Sequence, residues 1–281
     1  MALLDRRPPE LAVRVVTGVA MIAAAMLAVA LGGIVFWLFT AAIGLAMMAE
    51  WADLQREVGQ RAAGQTVEPR HKRLALYALF VPIALMSPLG AGPGFLSLGL
   101  LAGAAFFVVI VTNRPRLAVG VVYVGLPILA LLLIRRQHDP GPDLATWRGL
   151  IFTLWTLALV WATDIGAYFT GRAIGGPKLA PRLSPNKTWA GLIGGVALAS
   201  LFAAVMHRSY GLPLRLTLAT PALAVLAQGG DLYESWLKRR AGVKDSGSLI
   251  PGHGGVLDRL DGLVPVAPVA ALLVVLPHFY S

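Results

Sequence analysis

Apolar residues run through this chain in long blocks, and polar residues are confined to the gaps between them. Nine blocks stand out, at 12–30, 33–51, 74–91, 94–112, 117–134, 149–170, 190–206, 214–230 and 262–280. Most approach the ~20 residues a helix needs to cross the hydrocarbon core of a bilayer. Glycine and proline punctuate the gaps, as in Leu31-Gly32-Gly33 and Ser87-Pro88-Leu89-Gly90. No internal repeat or low-complexity tract is visible. The pattern predicts an all-α polytopic membrane protein of about nine transmembrane helices, forming a single integral membrane domain over 1–281. The first segment, MALLDRRPPELAVRV, has two arginines before its apolar run and no clear cleavage site, so a retained first span is expected.

Composition agrees with this reading. Hydrophobic residues make up 57% of the chain and charged ones 14%, against about 45–50% and about 25% in soluble domains. The net charge of +10 could suit nucleic acid, but the placement of Lys and Arg points elsewhere. With Arg14 and Arg215 assigned to their nearest sides, 19 fall on one set of alternate gaps and 5 on the other. That asymmetry is the positive-inside bias of membrane proteins. It predicts a cytoplasmic N-terminus, an outside C-terminus and no nucleic-acid partner. The basic gap 52–73 serves either as a topology determinant or as a contact for anionic headgroups of membrane lipids. Glu50, beside Trp51 at the end of the second block, reads as an interfacial acid with no assigned role. Absence of cysteine excludes disulfides and thiolate sites, leaving oxygen and imidazole ligands for any metal.

Two gap regions differ from the rest, and the topology puts both on the cytoplasmic face. Together they span 161–262. In Ala227–Gly262, Asp231, Ser235 and Lys238 fall at i, i+4 and i+7, one stripe of a helix continuing the eighth block, with Gly242 as its stop. Asp258 and Asp261, at i and i+3, are expected to share a helix face, where a divalent cation would relieve their repulsion. Between Asp231 and this pair Ile250-Pro-Gly-His-Gly-Gly255 could turn its N–H groups into an anion nest, with Lys238, Arg239, Lys244 and Arg259 as further phosphate donors. Acids, a glycine-rich turn and cations together suggest phosphoryl or nucleotidyl transfer on one or two Mg²⁺ ions. His253 has an equal structural reading.

In Trp161–Gly191, Ser184-Pro-Asn-Lys-Thr188 precedes an apolar helix and offers donors for phosphate or simply caps that helix. Asp164 lies within the sixth block, where an acid is usually functional, or pairs with Arg172 or Lys187. Gly191, Gly194 and Gly195 suit close helix packing.

The run Ser235-x-x-Lys238-Arg239, then Lys244-Asp245, then Pro251-x-His253-Gly-Gly-x-x-Asp258-Arg259-x-Asp261 resembles the signature of the phosphatidate cytidylyltransferases, or CDP-diacylglycerol synthases, at every position. Gln228-x-Gly230-Asp231-Leu232, Asp164-x-x-Ala167-Tyr168 and Ser184-Pro185-Asn186-Lys187-Thr188-Trp189 resemble it too. One departure is Ala190, where the family commonly has an acid after Trp189. The resemblance implies CMP transfer from CTP to phosphatidic acid, with pyrophosphate released and Mg²⁺ required, in a bacterial cytoplasmic membrane. It implies Asp231 and Asp258 as metal ligands, supported by Asp261, with room for a monovalent cation and for a homodimer. Lys238, Arg239, Lys244, His253 and Arg259 would then hold phosphates, and Asp245 belongs to the same catalytic run. Asp164, Ser184, Asn186, Lys187, Thr188 and Ser235 would contact substrate. Two rival readings are a related CTP-using enzyme of an isoprenoid phospholipid or polyprenol, and a transporter. The complete signature disfavours a polyprenol kinase, and the missing repeat disfavours a transporter.

Overall fold

A computed structural model describes residues 10–62, 66–137, 145–250 and 254–276. Each of the nine apolar blocks has its own helix: α1 (Glu10–Leu31), α2 (Gly33–Arg61), α3 (Pro69–Leu85), α4 (Phe95–Thr112), α5 (Pro115–Arg135), α6 (Ala145–Ile174), α7 (Trp189–Tyr210), α8 (Leu214–Ala241) and α10 (Leu263–Val275). Of the third block, 86–91 lie past the end of α3, and of the ninth, 277–280 lie outside the described residues. A single turn, α9 (Leu257–Leu260), precedes α10. By length and composition α2, α4, α5, α7 and the Trp147–Ile174 part of α6 can cross a membrane. Val15–Leu31 and Leu263–Val275 are apolar but shorter. The molecule is a helical membrane protein.

α5 sits at the centre, against α2, α3, α4, α6 and α10. Met48, Trp51, Leu79, Val121 and Val124 form one side of the core, and Trp155, Leu159, Leu216 and Val266 the other. Large apolar residues also point outward, among them Phe106 (69% exposed) and Leu218 (70%). Lipid tails are as apolar as these side chains, so helix association relies on close packing rather than on escape from water. α6 and α7 show this best. A methyl group added at Gly166 would lie 2.6 Å from the Gly194 carbonyl, and one at Gly195 would lie 2.6 Å from the Thr163 carbonyl. The packing role read for Gly194 and Gly195 is therefore the observed one.

Two local departures from the expected pattern have clear causes, and one expected extension is present. The gap after α6 is not wholly irregular. α6 stops at Gly175 (φ 67°) and Gly176 (φ 90°), and the chain then forms an antiparallel hairpin of β1 (Lys178–Ala180) and β2 (Ser184–Thr188). α8 runs on past its apolar half to Ala241, and Gly242, left-handed at φ 66°, ends it as expected. The last block breaks between α9 and α10. Pro265 has no N–H to offer the Asp261 carbonyl four residues back, although the backbone stays in the right-handed helical region through Gly262.

Candidate active site

A cavity of about 1190 Å³ opens among α1, α2, α5 and α6. Most of its wall is apolar, from residues such as Met21, Phe36, Ile43, Ile128 and Leu157, and one end is highly charged. Asp164, Lys187 and Asp231 reach that end from three different helices and strands, and Asp258, Arg259 and Asp261 reach it from α9 and its C-terminal end.

From the hairpin side, Lys187 Nζ on β2 pairs with Asp231 Oδ2 at 2.5 Å and donates to Gln228 Oε1 at 3.0 Å. Gln228 Nε2 in turn donates to Asp164 Oδ1 at 3.3 Å. A relay of alternating donors and acceptors thus ties α6, β2 and α8 together. The pairings considered for Asp164 are not direct. Gln228 stands between it and Lys187, and Arg172 instead donates to the Tyr168 hydroxyl. Thr188, 4% exposed, caps α7 by accepting the Gly191 N–H at 3.0 Å, so its hydroxyl is committed to structure. Asn186 is exposed and lines the cavity, while Ser184 is half-buried at the start of β2.

From the other side, the expected stripe on α8 is present. Ser235 Oγ lies 3.5 Å from Asp231 Oδ1, and Lys238 Nζ donates to Asp258 Oδ1 at 2.6 Å. Asp258 Oδ2 also accepts from Ser246 N (2.8 Å), Ser246 Oγ (2.9 Å) and Gly255 N (2.8 Å). Burial resists ionisation of Asp258, but the Lys238 ammonium and the two backbone N–H groups outweigh it and hold its pKa below the usual carboxylate range. Burial likewise opposes the charge on Lys238, and Glu234 and Asp258 overcome it to raise the pKa. Asp261 is shifted the other way, upward, by burial and then by the neighbouring Asp231 charge.

Two acids with little weight in the sequence reading are central here. Glu50 is 6% exposed, inside the molecule beside the buried Trp51. It accepts from Val256 N (2.9 Å), Leu257 N (2.8 Å) and Ser246 Oγ (3.2 Å). Glu234 has no exposed surface and stands 3.7 Å from Lys238 Nζ. An acid inside an apolar block is itself a signal of function, and for Glu50 that signal was available.

Of the segment expected to form an anion nest, 250–255, residues 251–253 lie outside the described residues, and the Gly255 N–H is directed at Asp258. The next two N–H groups, of Val256 and Leu257, are directed at Glu50. Asp258 and Asp261, three residues apart, likewise serve different partners. Asp258 is bound to the loop and Lys238, whereas Asp261 Oδ1 accepts the Gly262 N–H at 2.7 Å. Arg239, Lys244 and Asp245 are exposed and lie outside the cavity lining. His253 lies outside the described residues.

Among the described residues no three acids or histidines converge closely enough to hold one ion. The donor chemistry nevertheless fits a hard cation. Asp164, Asp231, Glu234, Asp258 and Asp261 influence one another electrostatically, and among the described residues Lys187 and Lys238 pair with members of this group. Clustered carboxylates with oxygen-only donors match Mg²⁺ chemistry.

The profile of the cytidylyltransferase family matches residues 12–276. A Brucella suis protein named phosphatidate cytidylyltransferase is 44% identical over 252 residues, covering 86% of this chain and 84% of its own. A Rickettsia felis protein of the same name is 32% identical over 211 residues, 70% of this chain and 89% of its own. In a Haemophilus influenzae protein of that name the match is 46% over 151 residues, about half of each chain.

Proposed function

The chain belongs to the cytidylyltransferase family, and from that premise we propose that it transfers CMP from CTP to phosphatidic acid. The observation that carries this reading is the cavity, in which an apolar wall ends on a cluster of acids with Lys187 and Arg259. A phosphate that carries two acyl tails needs both surfaces at once, and so does a reaction that joins it to a nucleotide.

A phosphate oxygen of phosphatidic acid attacks the α-phosphorus of CTP, the bond to the β-phosphate breaks, and pyrophosphate leaves. The attacking oxygen is already ionised at neutral pH, so no strong base is required, and catalysis reduces to positioning and charge neutralisation. Lys187 and Arg259 are placed to receive phosphate oxygens, and Lys238 orients Asp258. Asp231, Asp258 and Asp261 would hold Mg²⁺, one ion or two, with space for a monovalent cation. Bound there, the ion would supply positive charge to offset the negative charge developing on the leaving group. Asp231 and Asp258 are paired with Lys187 and Lys238. Gln228 keeps Asp164 and Lys187 in register through both its amide atoms.

In this reading the helices make nine crossings of a bacterial cytoplasmic membrane, with the N-terminus and the site on the cytoplasmic side. Purified protein given labelled CTP, Mg²⁺ and phosphatidic acid should yield a CDP-lipid and pyrophosphate. Turnover of an isoprenoid phospholipid or a lipid alcohol in place of phosphatidic acid overturns the substrate assignment. A C-terminal reporter that works only in the cytoplasm overturns the topology.

A further inference from the structure

Glu50 sits on α2, about two hundred residues from everything it binds. Its Oε1 accepts the Val256 N–H, and its Oε2 accepts the Leu257 N–H and faces the Ser246 hydroxyl. The fit is tight on both flanks. A methyl group at Gly247 would lie 2.7 Å from Oε1, and one at Gly255 would lie 2.6 Å from Oε2. The other side of the same loop is held by Asp258, whose Oδ2 accepts from Ser246 and Gly255. Ser246, with one hydroxyl hydrogen for two carboxylates, joins the two grips.

A buried carboxylate is a poor way to stabilise a fold, since well-packed apolar residues do as well or better. What it supplies that an apolar residue does not is direction, because its two oxygens fix where three donors lie. The donors fixed here are on the residues just before Asp258.

We infer that Glu50 is a positioning residue for CMP transfer: it anchors Ser246, Val256 and Leu257 to α2 and so sets the orientation of Asp258 toward the cavity. This inference rests on the proposed activity. Glu50 does not itself line the cavity, so it acts only through the loop.

The test is Glu50→Gln in the full-length protein. Gln keeps the size, but its amide nitrogen turns a donor against donors. Loss of a partner that orients a ligand typically costs ~10–100-fold. That loss is expected in kcat, with little change in KM for CTP and an unchanged melting temperature in detergent. Independently of activity, hydrogen exchange in peptides covering 246–260 should become faster than in the wild type. Wild-type kcat, or wild-type exchange in those peptides, overturns the inference. If Glu50→Gln is not recovered folded, Glu50→Asp, which keeps the charge but retracts it, is read by the same two measurements. Failure of both to fold means a purely structural role and also overturns it. A wild type that transfers no CMP defeats the proposed function instead, and the exchange comparison still reports on Glu50.

Discussion

The hairpin segment, 161–191, and the loop segment, 231–262, carry similar residue types but are held in place by opposite means. In the hairpin segment position comes from backbone packed on backbone. Gly166, Gly191, Gly194 and Gly195 bring α6 and α7 together with almost no room for a side chain, and Lys187 is carried into the cavity on the strand between them. In the loop segment position comes from charge. Asp258 and Glu50 gather five N–H and hydroxyl donors between them, and Lys238 closes the ion pair. The difference implies different weaknesses. The hairpin segment should be sensitive to added bulk, and the loop segment to a change of charge that leaves shape intact.

Asp258→Asn is the strongest test of the second half of that statement. It alters one atom, yet removes the partner of Lys238 and one acceptor for the loop. Breaking a buried pair by removing one member costs about 3–5 kcal/mol, and CMP transfer should fall to background while the protein still inserts in membranes. Full activity in purified Asp258→Asn would remove it from the site. The pH dependence follows with a definite sign. Because the folded pKa of Asp258 is depressed, its stabilisation is complete above the ordinary carboxylate value of about 4. It is lost as pH falls through the lower folded value. Thermal melting in detergent should therefore drop on the acid side in the wild type, and more shallowly in Asp258→Asn.

Lys187→Met tests where the two segments meet. Lys187 is the cation that joins the hairpin to Asp231 and Gln228. A hydrogen bond to a charged group contributes about 1.5–3 kcal/mol, so a fall of roughly 10–100-fold in kcat/KM is expected, with KM for CTP raised. A change confined to melting temperature would mean that the relay holds the fold and does not touch substrate.

How far the sequence foretold these two segments depends on the range of the contacts involved. The apolar blocks locate all nine long helices, and the stripe of Asp231, Ser235 and Lys238 with its Gly242 stop is local enough to read directly. The α6–α7 contact was also legible, because small residues at helical spacing have few other uses. Two kinds of feature were not. The hairpin is built from strands of three and five residues, one containing Pro185, too short and too irregular for a strand pattern to show. The acids of the loop segment choose partners by three-dimensional proximity. Asp258 and Asp261 share a spacing that suggests a shared ligand, yet their carboxylates go to different partners. The grip of Glu50 on Val256 spans 206 residues, and no spacing rule reaches that far.

Gly195→Ala tests the hairpin side with a methyl group in place of a charge. The added carbon would press on the Thr163 carbonyl, which is backbone and has little freedom to move. Overpacking of this kind typically costs 1–3 kcal/mol, read as a lower melting temperature. Activity should survive in the fraction that stays folded, since no charge near the cavity has changed. A variant as stable as the wild type would show that α6 and α7 can separate freely, and the contrast between the two segments would lose its basis.

The smallest effect belongs to Ala190, where the family commonly has an acid. Ala190 is in the first turn of α7, next to the Thr188 cap, and its carbonyl accepts from Thr170 at 3.1 Å. The site already carries five acids on other elements, Asp164, Asp231, Glu234, Asp258 and Asp261. An acid in the first turn of a helix faces the positive end of the helix dipole, which contributes about 0.3–1 kcal/mol. Ala190→Glu should therefore raise the melting temperature slightly and leave the rate of CMP transfer nearly unchanged. A large gain in rate would mean that the hairpin segment, like the loop segment, works through charge, and that this chain does without a group its site can use.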